Sequence, residues 1–269
     1  MLLPQPVLFA CLVLRSALRD RVLYMLFGTG VVVLVLLPAL SLFSMRQVQE
    51  LAVTLSLSIL SLFLLITAVL QGAYSIWGDI ESRYAASILG LPVSRAAYIW
   101  GKFLGIVLFL ALSTLCLSLA GAVVISVAAS QYPAEHTLVW SAFAWTVVFL
   151  FCKYVLVAAI ALLFSAISTS FFLPIFGTLS IYLAGSASQD VMMYLQTDQA
   201  SHVAHGSKIA LKVLYYLLPN LSAFDLHVYA IYSLPLPPSI LLSTLLYFLF
   251  YTALVCCIAA WAFGKRALS

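Results

Sequence analysis

Few residues in this chain of 269 have the types and neighbours that chemistry needs. Lys153 stands in the middle of a long apolar run, where an ionisable side chain is costly and marks a functional position by default. Four readings fit it: contact with a passing cargo, packing between two copies, snorkelling of its stem, or carbonyl partners at a helix interface. No acidic residue lies within an apolar run, which argues against an intramembrane ion pair. His202 and His205 are three apart and share a helix face, with Asp198 nearby and His227 further on. Gly206 follows, and no cysteine or second acidic ligand is set by spacing, so they read as loop histidines and no metal site is assigned. Cys11, Cys116, Cys152, Cys256 and Cys257 have neither metal nor disulfide spacing and read as small buried apolar residues. Asn220-Leu-Ser222 has the form of a glycosylation sequon, but beside Pro219 in an apolar loop it reads as a turn.

Catalysis has no support: the serines, histidines and aspartates show no nucleophile-elbow or zinc-hydrolase spacing. There is also no G-x-x-x-x-G-K-[ST] or G-x-G-x-x-G loop. If the protein does ATP-driven work, ATP and Mg belong to another chain, and no cofactor is expected here.

The elements that position these residues are set by composition. The chain is 65% hydrophobic and 7% charged, with a mean hydropathy of +1.18, whereas soluble proteins carry about 25% charged residues. It is an integral membrane protein. The net charge of +4 is spread over span ends and is no nucleic-acid signal. A span needs about 20 apolar residues, and six runs supply them: 22–43, 51–77, 103–129, 138–164, 171–187 and 240–263. The expected fold is all-α and polytopic, a single transmembrane domain over 1–269 with six spans. Before the first, residues 5–21 form an amphipathic interfacial helix, because the charges Arg15, Arg19, Asp20 and Arg21 follow its apolar stretch rather than precede it. With both termini in the cytoplasm, Arg15, Arg19, Arg21, Arg83, Arg95, Lys102, Lys265 and Arg266 are inside, and Arg46, Lys208 and Lys212 outside. That orientation satisfies the positive-inside rule and its inverse violates it.

The densest polar stretch, Gly78 to Lys102, then lies in the cytoplasm. Asp79, Glu81, Arg83, Arg95 and Lys102 fall within it. From Asp79 to Leu91 the spacing is helical, with Ile80, Tyr84, Ile88 and Leu91 on one stripe. Gly90 and Pro92 stop that helix and Ser94 is placed to cap the next. Two readings stand: a surface helix that passes force between a soluble partner and the spans, or a charged loop that only marks the cytoplasmic side. Gly101-x-x-x-Gly105 opens the following span and permits close helix contact. On the other side, residues 189–239 are too long and apolar for an ordinary loop. A short helix over 208–218, broken at Pro219-Asn220, reads as a re-entrant or interfacial segment. Such backbone must be covered by the other spans or by a second copy.

Taken in order, these features resemble the permease subunits of ABC-2 type (type V) ABC transporters, especially the permeases of copper-enzyme maturation systems. The segments that carry the resemblance are Leu18-Arg-Asp-Arg21, the acidic Asp79 and Glu81, Ile88-Leu-Gly-Leu-Pro-Val-Ser-Arg95, Gly101-Lys102, Leu163-Phe-Ser-Ala-Ile-Ser-Thr-Ser170, Leu218-Pro-Asn-Leu-Ser-Ala-Phe-Asp225 and Phe263-Gly-Lys-Arg266. The resemblance implies a six-span exporter subunit that dimerises in the bacterial inner membrane, in contact with its lipids, and docks separate ATPase chains. It makes residues 79–91 a coupling helix, with Asp79, Glu81, Arg83, Tyr84, Ser87, Ile88, Pro92 and Arg95 coupling to the ATPase. Arg15, Arg19 and Arg21 fall on the connecting helix, and Pro219, Asn220 and Asp225 on the re-entrant lid. Where many relatives have Gly-Thr after the acidic residue, this chain has Tyr84-Ala85. The mostly uncharged spans imply an amphiphilic or hydrophobic cargo. A non-transporting scaffold that anchors a partner complex is the alternative.

Overall fold

The computed structural model describes residues 5–41, 48–82, 94–131, 139–195, 215, 218–234 and 236–265, and among these there is no strand. The helices are α1 (Gln5–Ala17), α2 (Arg21–Ser41), α3 (Val48–Glu81), α4 (Arg95–Gln131), α5 (Trp140–Ile167), α6 (Phe172–Leu195), α7 (His227–Ile231) and α8 (Pro238–Lys265), with a 3₁₀ turn at Ser222–Phe224. Each apolar run of the sequence falls largely within one of the long helices. Among the described residues, α3, α4, α5 and α8 are long and apolar enough to cross a membrane, and α1 and α2 contain shorter apolar stretches. The fifth run extends to Leu195 rather than ending at 187, but Pro174, Gly177, Ser180, Gly185 and Gln189 dilute its apolar character.

At the centre stands α5. Its sequence is apolar on every side, and a helix of that kind is enclosed by others: 78% of its apolar window is buried, against 22% for α8. α3 lies along α5, α4, α6 and α8 pack around that pair, and α2 closes against α3 and α4. The α3–α5 approach is close because Gly72 has no side chain. A Cβ there would stand on Ala161 Cβ and 2.9 Å from the Ala158 carbonyl oxygen. One turn along, the Ser165 hydroxyl of α5 bridges a rung of α3: it donates to the Ala73 carbonyl (2.7 Å) and accepts from the Trp77 N–H (3.0 Å).

Sequence and structure part at three places. The interfacial helix ends at Ala17, Arg19 lies in a turn, and Arg21 opens α2. The N–H groups of Leu18, Arg19 and Asp20 bond back to Leu14, Ser16 and Ala17, so the chain turns sharply where the sequence reads as one helix. The second difference is that Asp79 does not begin a separate helix. It belongs to the last turn of α3, which runs through Gly78 to Glu81. A single helical glycine costs only about 1 kcal/mol, and the Ser82 hydroxyl and N–H both bond Gly78 O to complete that turn. The rest of the expected coupling helix, from Arg83 onward, lies outside the described residues. Third, only Cys152 and Cys256 are buried, while Cys11, Cys116 and Cys257 are exposed on the outer sides of α1, α4 and α8.

Gly101 and Gly105 do permit close contact, and the helix they admit is α1. Added Cβ atoms would lie 2.5 Å from Phe9 Cβ and 2.8 Å from Pro6 O at Gly101, and 2.5 Å from Val13 Cβ and 2.9 Å from Ala10 O at Gly105. Backbone carbonyls cannot give way as a flexible side chain does. The Gly101→Ala/Gly105→Ala variant is expected to weaken the seating of α1 by about 1–3 kcal/mol per site. The check is trypsin cleavage after Arg15 and Arg19 in detergent, which should accelerate by about tenfold or more. Unchanged cleavage would mean that α1 is held elsewhere.

Candidate functional site

Tyr98 is fully buried near the start of α4, and four helices meet on it. Its hydroxyl donates to Asp79 Oδ2 at 2.5 Å, from the end of α3. Its ring stacks on Phe263 of α8 with centroids 5.5 Å apart, and meets Phe9 of α1 edge-on at 5.6 Å. One turn further along α4, on the same face, Lys102 Nζ lies 2.7 Å from Asp79 Oδ2 and donates to the Ser75 carbonyl at 2.9 Å. The ammonium also sits 5.7 Å from the Tyr98 ring centroid. The Lys102–Asp79 pair is largely buried, with 12% and 17% of the side chains exposed. Arg95, one turn before Tyr98, donates from a guanidinium nitrogen to the Gly264 carbonyl at 2.7 Å. It thereby satisfies a carbonyl at the C-terminal end of α8, where a cation also complements the helix dipole. Ser94 caps α4 as its sequence foretold, its hydroxyl accepting the Ala97 N–H at 3.2 Å.

The ends of α1, α3, α4 and α8 are thus bolted into one block. The two ends of the polar stretch, residues 79–81 and 94–102, belong to that block. The outward-facing members are Glu81 and Ser82 at the end of α3, and Ser94 and Arg95 at the start of α4.

A second polar cluster lies deep between α5 and α6. Lys153 is 5% exposed. Its ammonium rests 5.6 Å from the Tyr182 ring and 6.0 Å from the Tyr154 ring, where ring quadrupoles offset part of the cost of the charge. The Tyr154 hydroxyl shares a hydrogen bond of 2.5 Å with Ser61 of α3 and faces the Tyr182 hydroxyl at 3.4 Å. No ion pair reaches Lys153 among the described residues.

Above this cluster, residues 218–234 fold onto the bundle, and their backbone is satisfied by it. Leu221 N–H bonds Gly185 O at 3.2 Å, and Gly185 has no side chain because Pro219 O occupies that space. Ser222 donates to Ser186 O. The Tyr247 hydroxyl of α8 accepts the Asn220 N–H at 2.9 Å, and the Thr146 hydroxyl of α5 donates to Leu226 O at 3.2 Å. Phe224 is fully buried against Phe149 and Cys152. Asn220 Oδ1 accepts the Ala223 N–H, which makes Asn220-Leu-Ser222 a turn. After it, His227 Nδ1 stands 2.7 Å from Asp225 Oδ1. That hydrogen bond holds the Asp225 carboxyl down at about 2, and the charge of Lys153 acts in the same sense as a smaller cause.

The family model for ABC-2 family transporter proteins matches residues 13–268. This chain belongs to the ABC-2 transporter family. No curated protein matches it. The ABC-2 chain is an integral membrane protein and the permease subunit of an ABC transporter, a kind of subunit that works with an ABC ATPase. The match does not select the copper-enzyme maturation branch.

Placed on this ABC-2 permease, the residues singled out from the sequence divide. Asp79, expected to face a partner, is turned inward to Lys102 and Tyr98, while Arg95 is exposed and also bonds Gly264 O. Glu81 is exposed. Arg83, Tyr84, Ser87, Ile88 and Pro92 lie outside the described residues, as do His202, His205 and Asp198. Arg15, Arg19 and Arg21 are exposed around the α1–α2 turn. Pro219, Asn220 and Asp225 share the segment that folds onto α5, α6 and α8. Sequence reasoning missed Tyr98, Phe263 and Ser165. One signal for Tyr98 was present: Arg95, Tyr98 and Lys102 recur at helical spacing and line one face of the permease's fourth helix.

Proposed function

We propose that this permease exports an amphiphilic or hydrophobic cargo, with two copies forming the path and two separate ATPase chains supplying ATP and Mg. The observation that carries the reading is the block centred on Tyr98, which ties α1, α3, α4 and α8 together at the two ends of the polar stretch. A push on residues 82–94 from an ATPase would move all four helices together rather than deform a loop. In this reading Glu81, Arg83, Tyr84, Ser87, Ile88 and Pro92 meet the ATPase, while Asp79 and Arg95 pass the displacement on to α4 and α8. The positive-inside distribution supports a bacterial inner-membrane location with both termini cytoplasmic. The rarity of charge inside the bundle supports a cargo that is mostly apolar, with Lys153 as the polar contact along its path. Residues 218–234, with Pro219, Asn220 and Asp225, serve as the outer lid. The six apolar runs are the spans.

Glu81→Ala/Arg83→Ala is the test. The permease is co-expressed with its ATPase, and association and vesicle-dependent ATP turnover are measured. Removing two charged contacts at an interface is expected to weaken association by about tenfold or more. Wild-type association and turnover would place the docking surface elsewhere. ATP turnover that responds to the permease without cargo movement would favour a scaffold.

A further inference from the structure

Beside the α1–α2 turn is a groove of about 200 Å³ that the transport reading does not use. Its floor is the small cluster Ala17, Leu23 and Phe109, all nearly buried. One wall is a single stripe of α4, in which Phe109, Leu112, Ser113 and Cys116 follow at helical spacing. The opposite wall is Leu18, Tyr24 and Phe27. Leu112 and Tyr24 are 43% and 62% exposed, so the groove opens sideways from the bundle, toward lipid in a membrane.

The rim at the turn has a different chemistry. Arg15, Arg19 and Arg21 are exposed there, each within a few residues of the lining Ala17, Leu18 and Leu23. Neither the Lys102–Asp79 nor the His227–Asp225 ion pair takes up these arginines. A second groove across Leu23 is lined by Asp20, Leu70, Gln71, Tyr74 and Phe171. Its lining includes the Asp20 carboxylate, which repels a phosphate, whereas the lining of the first groove carries no acidic residue.

We infer that the α1–α2 turn is a binding site for an anionic phospholipid, with one acyl chain in the groove between α1, α2 and α4 and the phosphate against Arg15, Arg19 and Arg21. The match is one of charge and polarity: a phosphate joined to a hydrocarbon chain suits a turn that carries three exposed arginines next to the residues of an apolar channel. Arginine suits the phosphate because its planar fork gives two parallel donors to two oxygens. Three arginines against the single Asp20 favour a net negative headgroup over a zwitterionic one. Because α1 is seated on Gly101 and Gly105, a lipid held at this turn would brace α1 against α4. The site uses none of the residues assigned to the cargo path or to the ATPase contact.

The full-length permease is purified and exchanged into mixed micelles of phosphatidylglycerol and phosphatidylcholine with identical chains, and the retained lipids are counted by native mass spectrometry. Each arginine should contribute about fivefold to the preference for the anionic lipid, so wild type should favour phosphatidylglycerol by about a hundredfold at low salt. Arg15→Gln/Arg19→Gln/Arg21→Gln, three exposed positions, should abolish the preference. Cys116→Trp fills the exposed rim of the groove without touching a charge. It should reduce retention of phosphatidylglycerol by about tenfold, which attraction to a charged surface alone would not do. Inorganic phosphate added at millimolar concentration should not displace the lipid.

Four results would overturn the inference: no anionic preference in wild type, a preference that survives the triple substitution, retention unaffected by Cys116→Trp, or displacement by inorganic phosphate. If Cys116→Trp instead converts dimer to monomer with lipid retention intact, the groove is a contact between copies and the inference fails.

Discussion

Lys102→Met is expected to destabilise the permease by about 3–5 kcal/mol, because it leaves the Asp79 carboxylate in a largely buried position with, among the described residues, the Tyr98 hydroxyl to face. It also frees the Ser75 carbonyl, which Lys102 occupies at 2.9 Å. Removing both charges in Asp79→Asn/Lys102→Met should cost much less than the sum of the single changes, since the double variant buries no unpaired ion. The measurement is a double-mutant cycle by thermal or denaturant unfolding in detergent. Additive single effects would show that the two groups do not act as a pair. The same variants report on transmission: Lys102→Met should lower permease-dependent ATP turnover while leaving ATPase binding in place, because Glu81 stays exposed and unaltered. Loss of binding would show that the pair shapes the docking surface itself.

Gly72→Val is the second large effect. The first atom of a side chain at this position would overlap Ala161 Cβ and stand 2.9 Å from Ala158 O, so even alanine forces α3 and α5 apart. Valine adds two methyl groups on a stiff, branched stem. Overpacking of a well-packed contact costs about 1–3 kcal/mol and occasionally more. The upper end is expected here, because the obstruction includes backbone. Separation would also pull the Ser165 hydroxyl away from Ala73 O and Trp77 N–H, leaving it without those partners in the bundle. Yield of folded permease and its unfolding midpoint in detergent check this. A Gly72→Val permease with wild-type stability would mean that α3 and α5 are free to slide apart at this level. The control is Gly28→Val in α2, where an added Cβ meets nothing within 4 Å, and which should cost no more than helix propensity does.

Both predictions rest on contacts between residues far apart in the chain, and that is where sequence reasoning stopped. The polar stretch was easy to find because charge is rare in this protein. Which of its members turn inward was not, because Asp79 and Lys102 become partners only when the end of α3 lies beside the start of α4. Gly101-x-x-x-Gly105 marked a close contact correctly but left the other helix open, since small residues say how near a neighbour may come and not which neighbour it is. Lys153 was conspicuous by charge, while its partners Tyr154 and Tyr182 looked like ordinary aromatic residues of a span. The coincidence of Pro219, Asn220 and the following apolar residues announced irregular backbone that had to be covered. That Tyr247, Thr146 and Gly185 do the covering is a matter of how three helices pack.

Read alone, the chain determined that it resides in a membrane, where its helical rods run, on which ends its cations gather and to which transporter family it is similar. These follow from hydropathy, turn residues and charge over stretches of a few tens of residues, and each stretch carries them by itself. Tertiary structure alone decided that Asp79 serves as an internal tie, that the exposed Arg95 holds the end of α8, and that Glu81 is left facing outward. It also decided that Tyr98 is the junction of four helix ends, and that an apolar groove opens beside three arginines. Those properties belong to pairs of distant segments, and no local pattern encodes them until close packing has brought the segments together.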